Sequence, residues 1–168
     1  GNQNYATVER IMKQAGKAAV GIKFERNGNV TPAQIEQIVK SDPQVIVNTT
    51  LYGTASKVLR MLKAAGKPYT MSSLSFVGPS QLAKVAGPDA SGVSVAGVVP
   101  PPPKALVPVV KECGDAVKKA GVAELNYTNL EACIAAKVLV EALRRAGPKA
   151  DRAALLKAMS NLGTYDAG

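Results

Sequence analysis

The sequence predicts an α/β protein: a doubly wound, mainly parallel sheet with helices on both faces, followed by a group of C-terminal helices. Three observations carry that expectation. Short apolar runs alternate with longer stretches of helical apolar spacing up to residue 99, and such alternation implies right-handed crossovers and a parallel sheet. Four consecutive prolines at 100–103 then interrupt the pattern. After them come three helical runs with no apolar strand between them.

Residues 4–15 carry Val8, Ile11, Met12 and Ala15 at helical spacing, with Gly16 as the expected stop. Residues 18–24, Ala-Ala-Val-Gly-Ile-Lys-Phe, read as a strand. Thr31 before Pro32 is a good N-cap with proline in the first turn, and Ile35, Ile38 and Val39 supply the apolar face of the helix that follows. Asp42-Pro43 ends it. Residues 45–48 form a short apolar strand of the kind buried on both faces, and 54–65 return to helix, closed by Gly66. A strand over 68–72, a helix over 79–86 and a strand over 92–98 complete the first region. Sites in such a sheet lie at the carboxyl ends of its strands, here around residues 48–53, 72–78 and 98–102.

The C-terminal helices are expected over 106–120, 128–146 and 152–162, with Thr128 and Glu131 forming a capping box. They need a sheet to pack on. Either they cover the first region, or they belong to a second lobe whose strands the sequence does not contain.

Bulk composition narrows the functional classes. The length of 168 residues suits one sizeable core and is short for two. No apolar stretch approaches the roughly 20 residues of a membrane span. The first residues show no basic segment leading into an apolar one, the pattern of a secretory leader. The net charge of +9 raises the question of nucleic acid. Its distribution answers it, since Lys13, Lys63, Lys118, Lys119, Arg144 and Arg145 fall late in predicted helices, where cations complement the helix dipole. No nucleic-acid partner is expected. With no His and two Cys, a Ser-His-Asp or Cys-His arrangement is impossible within the chain and a four-ligand zinc site is out of reach. Neither catalysis, nor a metal, nor a cofactor is expected.

The segment Leu130-Glu131-Ala132-Cys133-Ile134-Ala135-Ala136-Lys137-Val138-Leu139-Val140-Glu141-Ala142-Leu143-Arg144-Arg145-Ala146-Gly147 resembles the long helix of type I periplasmic solute-binding proteins of the leucine/isoleucine/valine-binding family. So do Leu74-Ser75-Phe76-Val77-Gly78, Val98-Val99-Pro100, and Leu162-Gly163-Thr164-Tyr165-Asp166, in the same order and at matching spacing over nearly the whole chain. The resemblance implies two α/β lobes joined by crossing strands, with solute held in the cleft between them. On that basis residues 1–99 form the second lobe, 100–103 the interlobe hinge, and 104–168 helices returning to a first lobe whose sheet is missing. Non-catalytic binding of a branched-chain amino acid, or a related amino or aromatic acid, for delivery to an ABC transporter permease is the implied function. The implied location is periplasmic.

Carried over by position, the implied solute contacts are Thr50, Leu51 and Tyr52 after one strand, and Ser75 and Phe76 after the next. Tyrosine there offers an apolar face and a hydroxyl; the alternative is an ordinary turn with Thr54 as helix cap. Phe76 is either a contact or an apolar plug of the core. Val99, Pro100 and Pro101 are the implied hinge, against the alternative of a surface polyproline segment. Cys113 and Cys133 lie on neighbouring helices joined by a short loop, so antiparallel packing brings them together as a disulfide suited to an oxidising compartment, or leaves two buried thiols. Exposed apolar faces on the C-terminal helices point to dimerisation or domain swapping. The rival class is a flavodoxin-like signalling or nucleotide-binding domain, but no Gly-rich phosphate loop follows Phe24 or Asn48.

Overall fold

A computed structural model describes residues 2–26, 28–102 and 106–168 of the chain. The residues fall into two compact units, 1–97 and 98–168. Of the predicted hinge and the segment after it, Pro103, Lys104 and Ala105 lie outside the described residues.

The N-terminal unit is built on a three-stranded parallel sheet in the order β1-β2-β3, with β1 at Val45–Asn48, β2 at Thr70–Ser73 and β3 at Ser94–Val95. Val45 pairs with Thr70 and Asn48 with Ser73, and Ser73 pairs in turn with Val95, so the three strands end at one edge. Helix α1 spans Asn2–Gln14, α2 Pro32–Ser41, α3 Tyr52–Ala64 and α4 Pro79–Ala86. Thr31 caps α2 in a full capping box: its hydroxyl accepts from the Gln34 amide while the Gln34 side chain accepts from the Thr31 amide at 2.8 Å. Asp42, left-handed at φ 40°, ends that helix.

Helical periodicity places Ile35 and Ile38 of α2 beside Val58 and Leu62 of α3, and Met71 of β2 completes this buried cluster. Ala55, Val77, Leu82 and Ala86 form a second cluster where α3 meets α4. Lys63 pairs with Asp89 at 2.6 Å and Arg60 donates to the Val85 carbonyl, fastening α3 to α4 and to the turn that follows it.

Two expectations are corrected here. Residues 18–24 are not a strand; among the described residues the segment runs without a ladder partner. Its apolar residues do pack, Ile22 and Phe24 lying against the cluster around Leu62. Its carbonyls go to side chains instead: Tyr5 donates to Ala19 at 3.4 Å and Gln34 to Lys23 at 2.7 Å. The Tyr5 ring sits so close over Gly21 that a Cβ there would come within 2.5 Å of it. Alternation sets which side chains turn inward, whereas a strand also needs a neighbouring backbone. The second correction concerns β1, which is not buried on both faces. Among the described residues it pairs with β2 alone, and Val45 and Val47 on its outer face are about half exposed while Asn48 is buried.

The C-terminal unit is helical among its described residues: α5 at Pro108–Lys119, α6 at Tyr127–Ala146 and α7 at Arg152–Ser160. Its core gathers Val109, Val110, Cys113 and Leu130, with Val99, Leu125, Ile134 and Ala167 packed against them. Cys113 and Cys133 are joined by a disulfide, their Cα atoms 6.0 Å apart, which pins α5 to α6. Helix α6 begins two residues earlier than the Thr128 capping box predicts. Asn126 is the cap, exchanging bonds with Asn129, because its extended backbone (φ −123°, ψ 175°) turns its side chain back onto the helix. Asp151 caps α7 through the Ala154 amide at 2.8 Å. Leu139, Val140 and Leu143 of α6 and Leu156 and Met159 of α7 remain exposed.

Glu141 sits between Arg144 and Arg145, which hold its carboxylate at 2.8 and 2.7 Å. Their hydrogen bonds pull its pKa from the ordinary 4.5 down to about 2. A depressed carboxylate stabilises the folded state fully above its unfolded pKa and loses that contribution as the pH falls through its folded one. The thermal midpoint of the native protein should therefore exceed that of Glu141→Gln by a constant margin above pH 4.5, closing towards pH 2. A margin independent of pH across that window would refute the assignment.

Candidate functional site

Parallel pairing brings the carboxyl ends of β1 and β2 to one edge, and the last residue of each is polar and buried: Asn48 and Ser73 are register partners, 7% and 1% exposed. Such groups are costly to bury unless bonded. Here the Asn48 amide nitrogen donates to Ser73 Oγ at 3.0 Å and to the Thr50 carbonyl at 3.2 Å. Its oxygen accepts from the Thr50 amide at 3.1 Å and the Thr50 hydroxyl at 2.6 Å. Backbone bonds reinforce the edge, since Leu74 N–H donates to the Asn48 carbonyl at 3.4 Å and Ala96 N–H to that of Ser73 at 2.9 Å.

Around this polar anchor stand three large side chains that the fold leaves uncovered. Leu51 is 47% exposed, Tyr52 39% and Phe76 46%. Leu51 is the N-cap of α3 and gives it no side-chain cap, so the first-turn amides of that helix, including those of Tyr52 and Gly53, have no partner within the helix. Phe76 lies in the single 3-10 turn Ser75–Val77 after β2. That turn closes at Gly78, whose φ of 74° suits glycine; the Tyr52 ring comes up beside it, so that a Cβ at Gly78 would lie 3.6 Å from Tyr52 Cδ1. The loops after β1 and β2 thus meet, one through Tyr52 and the other through Gly78.

The predicted contacts take different places in this arrangement. Leu51, Tyr52 and Phe76 present apolar surface at the edge. Thr50 does not offer its hydroxyl outward, because that group is turned onto Asn48. Ser75 is half-buried beside Phe76. The core plug of this loop is Val77, fully buried, while Phe76 stands out beside it. Thr54 is not the cap of α3, which starts two residues before it. Val99, Pro100 and Pro101 belong to the C-terminal unit, where Val99 packs on the cluster around Leu130.

Asn48 and Ser73 fall inside the segments 48–53 and 72–78 expected from the sequence, but neither was singled out there. The signal was present in Val-Ile-Val-Asn, a polar residue closing an apolar strand at its carboxyl end. Among the described residues no three His, Cys, Asp or Glu side chains gather as a metal site. Exposed apolar side chains beside a hydrogen-bonded polar pair suit holding a small molecule.

The chain matches the family model described as periplasmic binding protein over residues 1–168. Among solved structures, a substrate-binding periplasmic protein from Ralstonia solanacearum is 36% identical, with a TM-score of 0.89 over 100% of this chain and 49% of that one. A possible leucine/isoleucine/valine-binding protein from Rhodopirellula baltica is 25% identical, with a TM-score of 0.78 over 85% of this chain and 39% of that one. A branched-chain amino acid ABC transporter protein from Thermus thermophilus with bound valine shares the fold at 20% identity, with a TM-score of 0.76 over 95% of this chain and 44% of that one. The chain spans about half the length of these proteins or less. No curated protein matches it.

Proposed function

Because the chain belongs to the periplasmic binding protein family, we propose that it supplies one wall of a non-catalytic solute site, and that the solute is a branched-chain amino acid or a related amino or aromatic acid. The observation that carries the reading is the exposure of Leu51, Tyr52 and Phe76 together at the strand ends, over the bonded pair Asn48 and Ser73. Large apolar side chains left uncovered beside a fully satisfied polar anchor suit a partner that arrives later. A solute with an apolar side chain would lie against Leu51 and the two rings, while Ser75 and the first-turn amides of α3, which have no partner within the helix, would face its polar end.

The proposal extends to the assembly. The chain spans 49% of the Ralstonia protein's length, and the uncovered apolar faces of α6 and α7 are assigned to the sheet of a second lobe rather than to another copy. Val99, Pro100 and Pro101 act as a connector between lobes, stiff because proline restricts its backbone. Closure of the lobes on solute then makes the surface that an ABC transporter permease reads, in the periplasm. Solute shifts the balance only by binding the closed form more tightly than the open one.

The test uses the full-length gene product. L-Leucine, L-valine, L-phenylalanine and benzoate are each added in a thermal-shift titration, and at least one should raise the midpoint with concentration, as mass action requires. Tyr52→Ala should weaken that solute by about 1–3 kcal/mol, roughly 5- to 150-fold, with the fold intact by circular dichroism. No shift with any of the four, or a Tyr52→Ala protein that binds as the native one does, would overturn the assignment.

A further inference from the structure

We propose that Asn48 is the positioning residue of this site: its side-chain amide fixes the loop after β1 against the loop after β2, so that Leu51, Tyr52 and Phe76 are preorganised before solute arrives. The inference rests on the reading of this edge as a solute site. It follows from what surrounds the amide. At the end of an apolar strand, another valine would fill the position without burying a polar group, and a buried amide left unbonded is destabilising. The amide is tolerated because all its directions are used, with both N–H groups donating and the oxygen accepting twice.

Those bonds reach two separate segments. Three go to Thr50, drawing its amide, hydroxyl and carbonyl inward and thereby directing the next two residues, Leu51 and Tyr52, to the surface. The fourth goes to Ser73, two residues before the turn that carries Phe76. Asparagine suits this place for a chemical reason: on one short branch it both donates and accepts, whereas aspartate only accepts and leucine does neither. A loop held in its bound shape binds more tightly because less ordering remains to be done.

The experiment measures binding of L-valine, L-leucine and L-phenylalanine to the full-length gene product by calorimetry and stopped flow, at a temperature where every variant is folded. Asn48→Leu removes all four bonds at similar volume, and Ser73→Ala removes only the link between the loops. Asn48→Leu is expected to weaken binding about 10- to 100-fold, mainly through faster dissociation, and Ser73→Ala about threefold or more. Leu62→Ala, a deletion in the core around Met71, serves as the control: it lowers stability but should bind as the native protein does.

Binding by Asn48→Leu within twofold of native overturns the positioning role alone. So does an equal loss in Leu62→Ala, which would make the effect one of general stability. Should Asn48→Leu not fold, Ser73→Ala decides by the same comparison with Leu62→Ala. A native protein that binds none of the three solutes overturns the solute reading itself, and the positioning role falls with it.

Discussion

Leu62→Ala is expected to lower the unfolding free energy of the N-terminal unit by about 2–5 kcal/mol. Leu62 is 2% exposed and lies where α3 meets both α2 and β2, in the cluster with Ile35, Ile38, Val58 and Met71. Truncation removes the transfer free energy of the lost carbons and leaves a cavity that neighbours on three elements cannot close together. Leu62→Met, which keeps the volume, should cost less than about 1.5 kcal/mol. Urea denaturation followed by circular dichroism measures both. The chain has two compact units, so the transition of each must be followed separately. If the midpoint of Leu62→Ala matched that of Leu62→Met, the packing described around α3 would be wrong.

The second large effect concerns the disulfide. Cys113 and Cys133 are 20 residues apart, and a cross-link of that span removes unfolded-state entropy worth about 3 kcal/mol in the chain-entropy model. The C-terminal unit depends on it heavily, because among its described residues the buried hydrophobic ones are Val109, Val110, Cys113, Leu130 and Ala142, and α7 buries none. For a unit this small, a loss of that size lowers the thermal midpoint by about 12–24 °C. Reductant, or the double substitution Cys113→Ala with Cys133→Ala, should therefore shift the helical transition of this unit and leave the transition of the sheet-bearing unit in place. Two thiols alkylated in the native protein without reduction would show that the bond is not formed.

Much of the local structure was legible because it rests on neighbours in sequence. Thr31-Pro32 starts a helix, Asp42-Pro43 ends it, and the spacing of Ile35 and Ile38 marks the buried face. Those effects act within one turn. The cap of α6 was misassigned by two residues because Thr128 and Asn126 offer similar chemistry and only backbone dihedrals choose between them. The candidate contacts Leu51, Tyr52, Ser75 and Phe76 were drawn from resemblance, and nothing in their own residue types marked them. Asn48 could have been noticed as a polar end to an apolar strand, but its partner Ser73 lies 25 residues away.

The sequence by itself determined the alternation of short apolar runs and amphipathic helices, and the family. Pattern and composition are properties of the chain, whatever it packs against. Only the tertiary structure decided that residues 18–24 form no ladder, that β1 has one open face, and that Phe76 stands out while Val77 fills the core. It alone brought Asn48 to Ser73. Each of these depends on which backbone or side chain lies alongside, and strand pairing sets that between residues far apart in the chain.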